Sequence, residues 1–181
     1  MQATVTIDKA LGIQGWMSPD ELLWLATKAS QSRLIVEFGS YHGRSTRAMA
    51  DNLPMGGVIW AVDPWNGFYP GACNEDMTEI NTYCYPNFCA NLKDHIAADR
   101  VVPYRGFSHR FRLPFQVDMV FIDGDHRYET VCKDIDKAIE LVRNGGTIAG
   151  HDYQWEGVNK AVHEKLTKIE VTDTLWWTQK S

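Results

Sequence analysis

Short apolar stretches alternate with longer amphipathic stretches along most of the chain. Short apolar runs rich in β-branched residues are typical of strands that are buried on both faces of a sheet. Five such strands are predicted, at Arg33–Phe38, Val58–Val62, Val101–Tyr104, Val117–Ile122 and Thr147–Gly150. Two further strands are predicted near the C-terminus, at Lys168–Thr172 and Leu175–Thr178.

Helical patterns lie between these strands. One helix is predicted to begin at Ser18–Glu21, which has serine at the cap, proline at the first helical position and acids in the first turn. The other helices are predicted at Ser45–Asn52, Asn87–Ala98, Glu129–Val142 and Glu156–Leu166. Asn144–Gly146 follows the segment Glu129–Val142 as a stop signal. Because helices and strands alternate, we expect a parallel sheet covered by helices on both faces.

Two segments depart from this alternation. Asn66–Pro86 fits no periodic template, and a loop of that length suits a lid over a site or a surface excursion with buried aromatic residues. In the last predicted strand, alternation sends Trp176 and Trp177 to opposite faces of the sheet. One of them is expected in the core. The other could cover the sheet, line a substrate pocket or meet a second copy of the chain in a homo-oligomer.

Composition narrows the class of protein. With 181 residues, the chain is expected to form a single domain over 1–181. No apolar run approaches the roughly 18 residues that span a bilayer, and the start lacks the features of a signal peptide, so we expect a cytoplasmic protein without a membrane partner. The net charge of −5 and the absence of a basic patch argue against nucleic-acid binding. The four cysteines form no C-x-x-C pair and are expected to be reduced.

The first candidate for chemistry is the loop Glu37–Gly43, which follows a buried strand and precedes a helix. Its glycines allow close approach of backbone to a ligand, and the helix start offers free N–H groups. The dinucleotide fingerprint G-x-G-x-x-G fails because Tyr41 stands at its second glycine, which disfavours a nicotinamide oxidoreductase. Asp63 ends the second strand, where an acid can accept hydrogen bonds from ribose hydroxyls or can simply terminate the strand.

A second candidate combines two polar clusters that follow neighbouring strands. Asp123-Gly124-Asp125-His126 follows the fourth strand, and His151-Asp152-Tyr153 follows the fifth. Ligands in open α/β sheets bind beyond the carboxyl ends of the strands, so both clusters are expected on the same edge as the glycine loop. Carboxylates with imidazole could hold a divalent cation such as Mg²⁺ or Mn²⁺. Alternatively, the acids cap helices or polarise a substrate without a metal.

Together these motifs resemble the class I S-adenosylmethionine-dependent methyltransferases, and especially methyltransferase family 24, which includes macrocin and other sugar O-methyltransferases. The resemblance covers nearly the whole chain. It rests on VEFGSYHGRST, VDPW, YRGFSH and, most specifically, VDMVFIDGDHRYETVCKDI with GGTIAGHDY. It implies an α/β, Rossmann-like, seven-stranded and mostly parallel sheet with an antiparallel C-terminal strand. The implied activity is O-methylation of a small hydroxylated acceptor, such as a sugar or a phenol; the alternative is a non-catalytic cofactor-binding module within an assembly.

The resemblance also implies roles for particular residues. S-adenosylmethionine would be bound by Glu37, Gly39, Ser40, Gly43, Asp63, Trp65, Ser108 and Asp123. A divalent metal would be bound by Asp123, His151 and Asp152. Sugar-type relatives have an acid where His151 stands, and catechol-type relatives have asparagine at position 153, so metal dependence stays open. Without a metal, a histidine would act as general base, and the candidate catalytic residues are Asp123, His126 and His151.

Overall fold

The computed structural model describes residues 4–65 and 83–181, and seven strands within these residues form one sheet. The strands are β1 Leu34–Phe38, β2 Val58–Asp63, β3 Val101–Arg105, β4 Val117–Ile122, β5 Val142–Gly150, β6 Glu170–Thr172 and β7 Leu175–Gln179. Their order is β3-β2-β1-β4-β5-β7-β6, with β1 to β5 parallel and β7 antiparallel to both of its neighbours. The predicted Rossmann-like sheet with an antiparallel C-terminal strand is therefore confirmed.

Helices cover both faces of this sheet. They are α1 Asp8–Leu11, α2 Pro19–Ala29, α3 Arg44–Ala50, α4 Cys84–Asn91, α5 Lys93–Ala97, α6 Tyr128–Leu141 and α7 Glu156–Lys165. Successive residues of a strand point to opposite faces, so β1 places Ile35 in the core under α1 to α4 and Val36 in the core under α6 and α7. Burying both faces explains why the parallel strands are almost continuously apolar.

Helix α2 begins as its sequence predicts. The hydroxyl of Ser18 accepts a hydrogen bond from the backbone N–H of Glu21, and the Glu21 carboxylate accepts one from the backbone N–H of Ser18. Pro19 is the first helical residue. This reciprocal capping arrangement satisfies two N–H groups that would otherwise lack a partner.

The helix predicted over Asn87–Ala98 is instead divided into α4 and α5. Leu92, between them, has φ −109° and ψ 10°, outside the helical range. The buried side chain of Arg47 donates to the backbone oxygen of Asn91 and to both carboxylate oxygens of Asp94. These contacts lie on either side of the break and depend on tertiary packing, which helical periodicity does not report.

Strand β5 starts at Val142, earlier than the predicted Thr147. The pairing with β4 changes register between Val117 and Met119, so the glycine pair lies in an irregular part of the strand. Gly145 has φ +76°, and its N–H donates to the backbone oxygen of Lys180 over 2.7 Å. The glycines that predict a helix stop therefore also lie where β5 departs from regular pairing with β4 and contacts Lys180.

The remaining predicted elements differ in detail. A loop is predicted over 66–86. Its residues 66–82 lie outside the described residues, and Cys84–Pro86 belong to α4. Trp176 is fully buried, whereas Trp177 lies on the opposite face against Trp24 and Lys28 of α2. Trp177 therefore covers the sheet. Within the described part of the chain, no helix is both long and apolar enough to cross a bilayer.

The tight packing at the end of β5 leads to a prediction about stability. A Cβ atom at Gly150 would lie 2.3 Å from a ring carbon of Trp176 and 2.8 Å from the backbone oxygen of Ile122. We expect Gly150→Ala to lower the free energy of unfolding by about 3 kcal/mol, because neither neighbour can move cheaply. Gly12→Ala is the control: its Cβ would lie 3.5 Å from the nearest atom. Urea denaturation midpoints measure both effects, and equal midpoints would contradict the prediction.

Candidate active site

The carboxyl ends of β1, β2, β4 and β5 border a cavity of about 620 Å³. Its position beside the junction of β1 and β4, where the strand order reverses, is the usual ligand site of open α/β sheets. Seven predicted site residues line it: Gly39, Ser40, Asp63, Asp123, His126, His151 and Asp152. Four other predicted residues are absent from its described lining: Glu37, Gly43, Trp65 and Ser108.

Glu37 lies beneath the loop that joins β1 to α3. Its side chain has no exposed surface, and its carboxylate accepts hydrogen bonds from the hydroxyls of Ser40, Ser45 and Thr46. Burial raises the pKa of Glu37 to about 7, although the three hydroxyls act in the opposite direction. Glu37 therefore connects the loop to the first turn of α3 from below.

The two glycines of this loop are required by contacts within the protein. Gly39 and Gly43 have φ values of +86° and +87°, which side-chain-bearing residues rarely adopt. A Cβ atom at Gly39 would lie 2.1 Å from the backbone oxygen of Asp123, and one at Gly43 would lie 2.3 Å from the side chain of Leu92. Gly39 thus lets the ends of β1 and β4 approach, while Gly43 lets α3 pack against the segment between α4 and α5.

Asp63, at the end of β2, holds the same loop through its backbone. One carboxylate oxygen accepts hydrogen bonds from the N–H groups of Ser40 and Tyr41, over 2.9 and 3.0 Å. The other accepts a 2.7 Å hydrogen bond from the N–H of Trp65. Trp65 itself is buried, and its indole N–H donates to the backbone oxygen of Tyr41. Trp65 therefore supports the loop from behind.

The side chain of Ser108 makes its hydrogen bond outside the cavity. Its hydroxyl donates a hydrogen bond to Asp134, a buried acid of α6. Burial raises the pKa of Asp134 to about 6, and the bond from Ser108 opposes this shift. Asp134 is not among the site residues predicted from the sequence. The sequence feature that points to Asp134 is its position: it is an acid at helical spacing from Val131 and Ala138, on the apolar side of α6.

Two imidazoles and three carboxylates meet at the ends of β4 and β5. Nδ1 of His151 lies 3.4 Å from Asp123 Oδ1 and 3.3 Å from Asp152 Oδ2. Nε2 of the same ring lies 3.3 Å from Glu21 Oε1. Nε2 of His126 lies 2.7 Å from Asp152 Oδ2. Asp152 thus contacts both imidazoles.

The charges in this cluster stabilise one another. Burial alone would lower the pKa of His151, but its hydrogen bonds with Asp123 and Asp152 and their negative charges raise it to about 11. Burial alone would likewise raise the pKa of Asp152, but hydrogen bonds from His126 and His151 hold it well below its usual range. The hydrogen bond to Asp152 raises the pKa of His126. At neutral pH, His151 is therefore an imidazolium between carboxylates.

Backbone strain coincides with this site. Asp152, Tyr41 and Trp65 have φ values of 60°, 45° and 40°, in the left-handed region. Such conformations are uncommon for residues other than glycine and persist where the surrounding contacts determine them. Here Tyr41 and Trp65 are held by Asp63, and Asp152 is held by the imidazoles.

Glu21 is a cavity residue that the sequence analysis did not assign to the site. It is buried, it caps α2, and it accepts hydrogen bonds from the side chain and backbone N–H of Thr174 besides facing His151. The S-x-x-E pattern at Ser18 signals the capping role. The contact with His151 depends on the fold, which brings the start of α2 to the end of β5.

Asp123, His151 and Asp152 fit a metal-binding group. Each offers one ligand atom, and the three atoms lie within 4.8 Å of one another. A mixed set of imidazole and carboxylate suits ions such as Mn²⁺, Fe²⁺ or Zn²⁺ better than Mg²⁺, which prefers oxygen ligands. Glu21, facing the second nitrogen of His151, matches the carboxylate that often orients a metal-binding imidazole.

Comparison with known proteins identifies the class. A family described as a methyltransferase domain, family 24, matches residues 36–153, which is more than half of the chain. The chain therefore belongs to this family of class I S-adenosylmethionine-dependent methyltransferases, as its motifs predict.

The individual proteins that resemble the chain have low sequence identity to it or match only part of it. Uncharacterized protein R132 of Acanthamoeba polyphaga mimivirus is 31% identical over 122 residues, covering 66% of this chain and 51% of that protein. The chain thus spans about half the length of this curated relative. An S-adenosylmethionine-dependent O-methyltransferase from Thermotoga maritima has a TM-score of 0.71 at 16% identity, over 96% of this chain and 70% of that one. An O-methyltransferase from Bacillus cereus in complex with SAH has a TM-score of 0.65 at 16% identity, over 96% and 90%. These structures share the fold.

The buried carboxyl of Glu37 predicts a pH-dependent contribution to stability. Because its pKa is raised in the folded chain to about 7 from 4.5, the folded state binds more protons between these values. Stability should therefore fall as pH rises through this window, by about 3 kcal/mol relative to Glu37→Gln. Urea denaturation of both proteins from pH 4.5 to 8 measures the difference. A constant difference across this range would refute the assignment.

The contacts of Glu21 predict that it stabilises the site and the fold together. Glu21→Ala would leave Thr174 and the N–H of Ser18 without their partner, and we expect a loss of about 3 kcal/mol in unfolding free energy. Asp20→Ala is a matched control, because Asp20 is an exposed acid in the same first turn. The control should cost less than about 1 kcal/mol. Thermal and urea unfolding distinguish the two, and similar losses would contradict the prediction.

Proposed function

We propose that this methyltransferase transfers the methyl group of S-adenosylmethionine to a hydroxyl group of a small acceptor bound in the cavity. The observation that carries the proposal is the composition of that cavity. Loop residues Gly39 and Ser40 line it together with the paired side chains of His126 and Asp152. A methyl donor and a proton acceptor can thus share one cavity, as direct transfer requires.

The proposed cofactor site comprises the β1–α3 loop and Asp63. S-adenosylmethionine, when bound, supplies an electrophilic methyl group on a sulfonium. The carboxylate of Asp63 lines the cavity and accepts backbone N–H groups of the loop, so the ribose hydroxyls would meet it at the end of β2. In this proposal Ser40 and Gly39 present loop backbone to the cofactor, while Glu37, Gly43 and Trp65 position that loop. Ser108 and Asp123 stay candidates for further contacts.

The proposed general base is His126. Asp152 accepts the Nε2–H of this ring, which leaves Nδ1 to accept the proton of the acceptor hydroxyl. His151 suits a different role, because both of its nitrogens face carboxylates, and Asp123 and Asp152 raise its pKa to about 11. Its positive charge would stabilise the developing oxyanion, and Asp123 would orient the hydroxyl.

A divalent ion is a further component of the proposal. Asp123, His151 and Asp152 are the residues that would hold it, and it would lower the pKa of the acceptor hydroxyl. His151 can bind a metal through Nδ1 only after that nitrogen loses its proton. The proton and the ion would therefore compete for the same atom.

Calorimetric titration of S-adenosylhomocysteine tests the cofactor site. We expect micromolar binding, on the order of −8 kcal/mol, to the wild type. Asp63→Asn should weaken it at least tenfold, while Asp136→Asn, an exposed acid on α6, should leave it unchanged. Repeating the titration with Mn²⁺ and with chelator tests for a coupled metal ion. Absence of binding to the folded wild type would refute the proposed cofactor use.

The role of His126 is tested by turnover. With S-adenosylmethionine and a set of phenols and glycosides, His126→Ala should lower kcat by about 10²–10⁴ while S-adenosylhomocysteine affinity is kept. His109→Ala, an exposed histidine outside the cavity lining, is the control. Unchanged kcat in His126→Ala would exclude it as the base. Cofactor binding without turnover on any acceptor would favour the non-catalytic module.

A further inference from the structure

Two exposed tryptophans line the cavity. Trp16 is 72% exposed and Trp155 is 41% exposed, and both contribute to the lining of the cavity. Large aromatic surfaces in water are costly, and their burial against an apolar face is correspondingly favourable. The exposed indole faces of Trp16 and Trp155 are therefore surfaces on which a ligand in the cavity can stack.

Trp16 is held beside the proposed cofactor loop. Its ring lies 5.2 Å from that of Tyr41, centroid to centroid, at an angle of 37°. The flanking backbone is fixed by Arg44, whose guanidinium donates to the backbone oxygens of Ile13 and Met17 over 2.7 and 3.2 Å. Arg44 is the first residue of α3, so the segment that carries Trp16 is attached to the helix that follows the loop. A ligand stacked on Trp16 would meet a surface that is already ordered.

Trp155 is held beside the proposed base. Its ring stacks on His126 with centroids 4.9 Å apart and planes 12° apart. Its backbone N–H donates to the backbone oxygen of Asp152 over 2.9 Å. Trp155 and His126 therefore form one stacked aromatic pair, so the exposed indole surface lies in the same part of the cavity as the proposed base.

The charge of the cavity restricts what can bind there. Among the residues that the structure describes, six acidic ones line it: Glu21, Asp63, Asp123, Asp125, Asp152 and Asp173. The cationic side chains described in the lining are already engaged, because Arg44 contacts backbone oxygens, His126 contacts Asp152, and His151 lies between carboxylates. An anionic acceptor would meet net negative charge without a free cation in this lining.

We propose that Trp16 and Trp155 form an acceptor subsite for an uncharged ring with an apolar face and a hydroxyl at its edge, and that the acidic lining excludes anionic acceptors. This inference rests on the proposed methyl transfer. A neutral phenol and a neutral sugar ring share the required chemistry, because both present a face that stacks on indole and a hydroxyl at the rim.

Calorimetry with four probes tests the subsite in protein saturated with S-adenosylhomocysteine. The neutral probes are catechol and methyl β-D-glucopyranoside, and 3,4-dihydroxybenzoate and methyl β-D-glucopyranosiduronate are their carboxylate counterparts. We expect one neutral probe to bind and its counterpart to bind at least tenfold more weakly. The neutral probe that binds distinguishes a phenol from a sugar.

Matched variants assign that binding to the tryptophans. Trp16→Ala and Trp155→Ala should each weaken the neutral probe at least tenfold, and Trp16→Phe should retain most of the affinity. Phe115→Ala is the control, because Phe115 is a half-exposed aromatic residue outside the cavity lining. It should bind the probe as the wild type does.

Three results would overturn the subsite: equal or tighter binding of the carboxylate probes, full affinity in both tryptophan variants, or no binding of either neutral ring. The titration of S-adenosylhomocysteine distinguishes failure of the subsite from failure of the proposed function. If the wild type binds no S-adenosylhomocysteine, the proposed function fails, and the same probes titrated into the protein alone still decide the subsite.

Discussion

The carboxylate of Glu37 is the constraint on which the site depends. A fully buried acid at the end of a central strand must find hydrogen-bond donors in the protein, because water cannot reach it. Ser40 supplies one donor from the loop, and Ser45 and Thr46 supply two from α3. Asp63 holds the same loop from the side by accepting its backbone N–H groups. Two buried acids thus shape the loop through contacts within the protein, which preorganises it for the proposed cofactor.

A second network carries the proposed chemistry, and it crosses the sheet edge. Glu21 of α2 faces His151 after β5, His151 faces Asp123 after β4, and Asp152 contacts both imidazoles. The three carboxylates stabilise the imidazolium, and two of them are also the proposed ligands for a divalent ion. The site therefore needs positive charge among its acids, whichever form that charge takes. The stacking of His126 on Trp155 extends this network to the surface proposed for the acceptor.

Much of this arrangement could be predicted from local patterns. Strand and helix periodicity predicted the elements, and the capping pattern at Ser18 predicted the start of α2. The polar clusters after β1, β2, β4 and β5 predicted a common site, because parallel strands bring their carboxyl ends to one edge. The breaks at Leu92 and in β5 were missed, since Arg47 and the backbone of Lys180 determine them from distant parts of the chain.

By itself, the sequence determined the family, the layered α/β architecture and the residues that gather at the carboxyl edge, because periodicity, caps and strand-end motifs are local properties. Only the tertiary structure decided which of those residues line the cavity and which lie behind it. It turned Glu37 and Trp65 inward as supports of the loop, directed Ser108 to Asp134, and brought Glu21 to His151. Side-chain direction and charge pairing depend on which elements pack together, and that information is distributed over the whole chain.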